Sequence, residues 1–104
     1  MKVRELLSGP EKWVQGVYAK GYVDDNLGDT ILRAVEPDDP KAHCWCLVGA
    51  INKCYPIIND ERIRIKTKIQ AKIWPEGYCF IHTWNDESGR TFDEVKALVE
   101  ELDI

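Results

Sequence analysis

The sequence has 104 residues, of which 44% are hydrophobic and 31% are charged, as is typical of one soluble globular domain spanning residues 1–104. No apolar run approaches the roughly 18 residues of a membrane span. The start of the chain lacks the apolar stretch of a signal peptide, so we expect a cytoplasmic protein. The 14 basic and 18 acidic residues give a net charge of −4, which argues against a dedicated nucleic-acid-binding protein.

Charge is unevenly distributed along the chain. The segment 61–74 carries five basic side chains against one acidic one, whereas residues 21–40 and the last twenty residues are strongly acidic. This segregation predicts attraction within the fold or across a homodimer. The alternative is RNA binding through the basic segment, with Arg64 and Lys68 in contact. Trp74 precedes a proline at a turn and is the tryptophan expected to be exposed, so the predicted interface residues are Trp74, Arg64 and Lys68.

The first third of the chain predicts short helical segments followed by a β-hairpin. Residues 2–8 have the pattern of a helix with one apolar face, and a further helical turn is expected up to residue 13. The segment 24–29 is rich in Asp, Asn and Gly, which favour turns. It separates two β-prone stretches, which predicts a hairpin of strands 16–23 and 30–35.

A buried central helix is predicted over residues 40–55. Asp39 is a natural N-cap, Pro40 suits the first helical position, and Pro56 ends the helix. Because residues 42–51 are apolar around most of the circumference, this helix is expected to be buried on several sides.

The segment 61–74 has two interpretations. Its apolar residues alternate strictly with polar ones, which is the pattern of a half-buried strand. Its 14 residues are long for a strand and suit a helix, in which three isoleucines would stack along one face. The pattern favours a strand and the length favours a helix.

The end of the chain predicts a buried strand at 78–84 and a helix at 92–102. A capping box formed by Thr91 and Glu94 precedes apolar residues at helical spacing. The predicted fold class is therefore α+β, a single helix-rich domain with a small antiparallel hairpin or sheet.

Three segments together resemble a known family. They are Trp13-Val-Gln-Gly-Val-Tyr-Ala19, Cys44-Trp-Cys-Leu-Val-Gly-Ala50, and Trp84-Asn-Asp-Glu-Ser-Gly-Arg-Thr91 with Glu-Val behind it. The set resembles an uncharacterised family, a domain of unknown function in actinobacterial and bacteriophage proteins. The resemblance implies a cytosolic bacterial or phage protein and a helix at 61–74. It implies no activity, and the association with phages favours a binding role, such as inhibition of a host or defence protein.

A cysteine nucleophile is one candidate site. Gln15, then Cys44 or Cys46, then His82, then the amide and acid at 85–86 follow the chain order of papain-like hydrolases. Such chemistry needs a thiolate stabilised by a helix N-terminus and an imidazolium. Since the predicted helix begins at residue 40, both cysteines would lie inside it, and we expect them to be packed in the core as reduced thiols.

A zinc site is a weaker candidate. His43, Cys44 and Cys46 with Cys79 and His82 supply enough nitrogen and sulfur donors for tetrahedral zinc. Two cysteines two residues apart on a helix point in different directions, however, so they would not converge on one ion. We therefore predict no metal and no cofactor.

The turn at 84–91 is the third candidate site. Gln15, Asn85, Asp86 and Arg90 could bind a phosphate or carboxylate in a polar pocket. The alternative is structural: Asn85 and Asp86 shape the turn, and Arg90 pairs with a nearby acid.

The function favoured by these patterns is a non-enzymatic binding protein that recognises a protein partner or a small polar ligand. No complete catalytic set and no glycine-rich phosphate loop is present. The first alternative is a cysteine-dependent hydrolase using Cys44 or Cys46 with His82. The second is RNA binding through residues 62–72.

Overall fold

A computed structural model describes all residues, 1–104. Five α-helices and three strands make up the fold, with two short 3-10 turns at Pro10–Lys12 and Trp74–Glu76. The helices are α1 Val3–Leu6, α2 Leu47–Cys54, α3 Asp60–Ile73, α4 Ile81–Asn85 and α5 Phe92–Glu101. The strands are β1 Ala19–Asp24, β2 Thr30–Ala34 and β3 Ala42–Trp45. This arrangement confirms the predicted α+β class.

The three strands form one antiparallel sheet in the order β2-β1-β3. The predicted hairpin is present as β1 and β2, in a register that pairs Tyr22 with Leu32. Its turn forms because the Asp25 carboxylate accepts hydrogen bonds from the backbone N–H groups of Leu27 and Asp29, at 2.7 and 3.1 Å. Residues of β2 are exposed along the whole strand, so the hairpin extends beyond the core.

The central helix begins later than predicted, at Leu47 instead of residue 40. The Asp39 carboxylate accepts a hydrogen bond from the N–H of Lys41 in a tight turn rather than capping a helix. The next residues then pair with β1 as strand β3. The apolar run that predicted a helix buried on several sides is therefore a buried strand followed by a shorter helix. Both kinds of buried element are expected to be apolar. Cys46 lies between them as the N-cap of α2.

Segment 61–74 is helical, as its length and the family resemblance indicated. Ile65, Ile69 and Ile73 are buried along one face of α3, whereas Ile63, which the alternation places on the same face of a strand, is 55% exposed. The Asn59 side chain caps the helix by accepting from the N–H of Arg62 at 3.1 Å. A capped helix with an i, i+4, i+8 stripe buries these isoleucines without needing a strand partner.

The predicted strand at 78–84 is wrong, because this segment contains α4. The buried residues Ile81, Trp84 and Asn85 have helical spacing, and α4 contacts both α2 and α3. The predicted C-terminal helix is confirmed as α5. Its capping box is present, with the Thr91 hydroxyl and the Glu94 side chain each bonded to the other residue's backbone N–H.

One hydrophobic core joins the helices to the inner end of the sheet. Its fully buried side chains come from both ends of the chain and from α2, α3 and α5, and include Val3, Leu47, Ile51, Ile69, Ile73, Val95, Val99 and Ile104. No helix has both the length and the apolar character that crossing a membrane requires.

An ion-pair cluster holds the first and last residues together, and it gives a pH-dependent prediction. Hydrogen bonds from Arg4 and Lys2 hold the pKa of Asp103 at about 2, below its ordinary value of 3.8. A lowered pKa in the folded state stabilises the protein above the unfolded pKa, and that contribution is lost as the pH falls towards 2.

We therefore expect Asp103→Asn to lower the Tm modestly at neutral pH, since the pair is exposed. The difference in Tm between the two proteins should shrink steadily between about pH 4 and pH 2. Thermal melts across this range would show it. The backbone at Asp103 has a φ of 54°, which Asn tolerates as well as Asp does. A pH-independent difference in Tm would therefore rule out the carboxylate as its cause.

Candidate functional site

Asn85 is the polar centre of the fold. Its side chain is fully buried at the end of α4. The carboxamide oxygen Oδ1 accepts hydrogen bonds from the indole Nε1 of Trp13 at 2.7 Å and from the backbone N–H of Leu47 at 3.0 Å. The nitrogen Nδ2 donates to the Val14 carbonyl at 3.2 Å and to Asp86 Oδ1 at 2.8 Å. Asn85 thus joins the N-terminal segment, the start of α2 and the turn after α4.

Gln15 and Asp86 extend this network. Gln15 Nε2 donates to the backbone carbonyls of Asn85 and Glu87, at 2.9 and 3.0 Å. Asp86 Oδ1 also accepts from the backbone N–H of Gly16 at 3.0 Å. The structure therefore brings together three of the four predicted ligand-binding residues, with the donor groups of Gln15 and Asn85 directed to protein carbonyls. Asp86 Oδ2 has no hydrogen-bond partner in the chain.

Arg90 lies apart from this network. Its guanidinium carbon is 4.0 Å from the centre of the Trp84 ring, and Nε donates to the Trp84 carbonyl at 2.9 Å. A second guanidinium nitrogen pairs with Glu94 at 2.8 Å, and the Arg90 side chain is only 10% exposed. The hydrogen bond from the Thr91 backbone, together with Arg90, lowers the pKa of Glu94. Arg90 thus links the end of α4 to the first turn of α5.

A cavity of about 790 Å³ lies between the hairpin and the start of α2. Its walls combine apolar and titratable side chains, a mixture common in small-molecule sites of this size. The lining residues are Gly16, Val17, Tyr18, Val23, Arg33, Ala34, Val35, Glu36, Asp39, Cys46, His82 and Asp86. The side chains of Arg33, Glu36 and His82 make no hydrogen bond or salt bridge within the chain, so these groups are free to meet a ligand.

The two candidate cysteines have different surroundings. Cys46 lies in the cavity wall as the N-cap of α2, where its Sγ accepts the N–H of Gly49 at 3.2 Å. Only 2% of Cys46 is exposed, and burial raises the pKa of its thiol, an effect that nearby Asp86 increases. Cys44 is buried in β3, with Sγ 4.0 Å from the Lys20 carbonyl, and it does not line the cavity.

Cys46 and His82 line the same cavity, although no hydrogen bond joins their side chains. The His82 ring stacks on Phe80, with ring centroids 5.5 Å apart. The expectation that a long helix would enclose Cys46 is wrong, because the helix starts one residue after it. The prediction of a buried thiol is confirmed for both Cys44 and Cys46.

The donors considered for zinc are dispersed. The His43 ring lies against the Tyr22 ring at a tilt of 55°, with ring centroids 5.3 Å apart. Cys79 is exposed in the segment between the Trp74–Glu76 turn and α4. No group of three or more His, Cys, Asp or Glu side chains is arranged to hold a metal ion.

The basic residues of α3 are also divided between different contacts. Arg62 turns inward and donates to the Tyr55 carbonyl at 2.6 Å, and Lys72 pairs with Glu101 at 2.7 Å. Arg64 and Lys68 remain exposed one turn apart, and Trp74 is 62% exposed, as predicted from its place before a proline. Two cations and one indole therefore form the exposed part of the predicted interface.

The sequence analysis did not identify Arg33, Glu36 and Asp39 as candidate site residues. They line the cavity from β2 and from the loop after it. The only signal was the local acidity of residues 21–40. The folding of the hairpin brings these residues into one cavity with Cys46 and His82. Their spacing in the sequence does not indicate this proximity.

Comparison with known proteins places the chain in a family. The model of the family of unknown function DUF6197 matches residues 1–102, nearly the whole chain. No curated protein and no solved structure gives a significant match. The match covers every element of the fold and confirms the resemblance to a domain of unknown function. The chain belongs to DUF6197.

Proposed function

We propose that this protein acts by binding rather than catalysis, and that its cavity takes a small organic ligand with a positively charged group. The observation that carries the proposal is the charge of the cavity wall. Glu36, Asp39 and Asp86 contribute three carboxylates against the one guanidinium of Arg33. A cavity lined mainly by one sign of charge attracts ligands of the opposite sign.

The apolar residues of the cavity indicate an apolar part of the ligand beside its charged group. Val17, Val23 and Val35 line it together with the carboxylates, so the ligand should combine a cationic end with an aliphatic body. Cofactors are not needed for such binding. The cytoplasm of a bacterium or of a phage-infected cell, implied by the family resemblance, is the proposed location.

Two probes of equal length and opposite charge test this proposal. We expect 1,6-diaminohexane to shift the backbone amide NMR signals of cavity residues such as Gly16 and Val35, whereas adipate, with the same number of carbons, should leave them unchanged. Glu36→Gln should weaken binding of the diamine by about tenfold, which corresponds to the loss of one hydrogen bond to a charged group. Glu11→Gln, an exposed acid outside the cavity, is the matched control.

Preference for adipate, or equal effects of both variants on the diamine, would contradict the assignment of the cavity to a cationic ligand. If neither probe shifted the NMR signals of the cavity residues, that result would also contradict the assignment.

The second candidate function is a cysteine-dependent hydrolase, and the position of Cys46 favours it. Cys46 lies at the N-terminus of α2, in one cavity with His82 and Asp86, in the chain order that such enzymes use. The raised pKa of the thiol opposes it, because the nucleophile must be a thiolate.

Alkylation by iodoacetamide separates these two functions. At pH 7 we expect the exposed Cys79 to be modified at least about tenfold faster than Cys46, because Cys46 is buried and its thiol has a raised pKa. Residue-resolved mass spectrometry of the folded protein would measure both rates. Faster modification of Cys46, with a rate that falls when His82 is replaced by Ala, would favour the hydrolase.

A further inference from the structure

We propose that two copies of the chain pair through the free edges of their β2 strands, antiparallel and centred on Ile31, so that Asp29 of each copy faces Arg33 of the other. The interface needs no ligand in the cavity; of the three residues Asp29, Ile31 and Arg33, only Arg33 also lines the cavity. It would join two three-stranded sheets into one continuous sheet.

The first observation is an unprotected sheet edge. Strand β2 pairs only with β1, and all five of its residues are exposed. Ile31 is 37% and Leu32 47% exposed, one on each face of the hairpin. Proteins usually protect such an edge with proline, a bulge or several charges, whereas β2 carries one charged residue and no proline.

The second observation is the direction of the backbone groups. The backbone N–H of Val35 donates to the Ala19 carbonyl, and the backbone carbonyl of Asp29 accepts from the Asp25 N–H. The backbone groups of the odd-numbered residues in this stretch therefore point towards β1. Because the direction alternates along a strand, the backbone groups of Thr30, Leu32 and Ala34 point to the free edge. A second β2 strand can therefore pair only in registers that match even-numbered residues with even-numbered ones.

The third observation is charge, which selects among these registers. When the twofold axis passes through Ile31, Thr30 pairs with Leu32 of the second copy, and Asp29 faces Arg33 twice. When it passes through Leu32, Arg33 faces Ile31 and no ion pair forms. Neither Asp29 nor Arg33 forms a salt bridge within its own chain, so both charges are available. Opposite charges across neighbouring strands stabilise pairing, and like charges oppose it.

The selected register also buries apolar surface. Ile31 faces Ile31 of the second copy at a position without backbone hydrogen bonds between the two residues, where facing side chains approach most closely. A second copy of the chain thus covers an exposed isoleucine and satisfies the free backbone groups of the edge at the same time.

Charge reversal with sedimentation equilibrium tests the proposal. We expect the wild-type chain to be a dimer, and Asp29→Arg or Arg33→Asp each to weaken dimerisation by at least about tenfold, because two attractive pairs become repulsive. An equimolar mixture of these two variants should form a heterodimer. The double variant D29R/R33D should recover the homodimer. Since neither side chain has a partner within the chain, the variants should keep the wild-type circular dichroism spectrum.

A second pair of variants tests the position of the axis. Ile31→Lys should abolish the dimer by placing two lysines opposite each other, whereas Leu27→Lys should not, because Leu27 is in the turn outside the strand. A monomeric wild-type chain, a dimer insensitive to charge reversal, or a mixture of the two charge variants that fails to associate would each overturn the proposal.

Discussion

Replacement of Asn85 by Ala is expected to destabilise the protein by about 3 kcal/mol or more, because each buried polar group left without a partner costs about 1–3 kcal/mol. The substitution removes the acceptor of the Trp13 indole N–H and of the Leu47 backbone N–H, and the donor to the Val14 carbonyl. The Leu47 N–H lies at the first residue of α2, where no intrahelical acceptor exists. Because Asn85 is fully buried, water does not replace these partners without opening the structure.

Chemical unfolding in urea would measure this effect, with Asn52→Ala as the matched control. Asn52 is also on a helix, but its buried Oδ1 has no hydrogen-bond partner. Removing that oxygen relieves an unsatisfied polar group, so the control should be neutral or slightly stabilising. Similar losses for both variants would mean that the network of Asn85 does not hold the N-terminal segment to α2.

Gly49→Ala is expected to lower the free energy of unfolding by about 3 kcal/mol or more, which is at the upper end for overpacking of a core. A Cβ at this position would lie 1.8 Å from the Tyr18 carbonyl oxygen. That carbonyl is part of the main chain and accepts a hydrogen bond from Cys46, so it has little freedom to move. Relief of the clash requires α2 to separate from the segment before β1. This displacement would also deform the cavity, since Tyr18 and Cys46 both line it.

The control for Gly49 is Gly9→Ala. There the three atoms nearest to the added Cβ all belong to the flexible carboxylate of Glu11, which can rotate away. Neither glycine has a positive φ, so the comparison isolates steric contact from backbone strain. Equal Tm values for the two variants would contradict the close approach of α2 to Tyr18.

Local signals predicted the elements whose causes are local. The capping box of Thr91 and Glu94 marks α5, and the Asp-Asn-Gly turn marks the hairpin, because the groups that form these structures are within a few residues of each other. The resemblance to a known family resolved the helix at 61–74, where alternation and length disagreed.

Segments that are apolar throughout were assigned incorrectly. A buried strand and a buried helix have the same composition, so the run 42–46 did not show that it pairs with β1. The segment 78–84 has the same ambiguity. Its actual structure depends on Ile81 and Trp84 packing together against neighbouring helices, and on Asn85 reaching Leu47.

The sequence by itself determined the hairpin, the C-terminal helix and with them the α+β class, because these follow from capping, turn chemistry and periodicity. It also determined the family, through the resemblance of three segments to other members. Only the tertiary structure decided that Asn85 and Gln15 hydrogen-bond within the protein, that Arg90 closes a turn, and that Cys46 faces a cavity with His82 and Glu36. The physical reason is distance along the chain: the cavity joins side chains dozens of residues apart, and their approach is set by strand pairing and core packing.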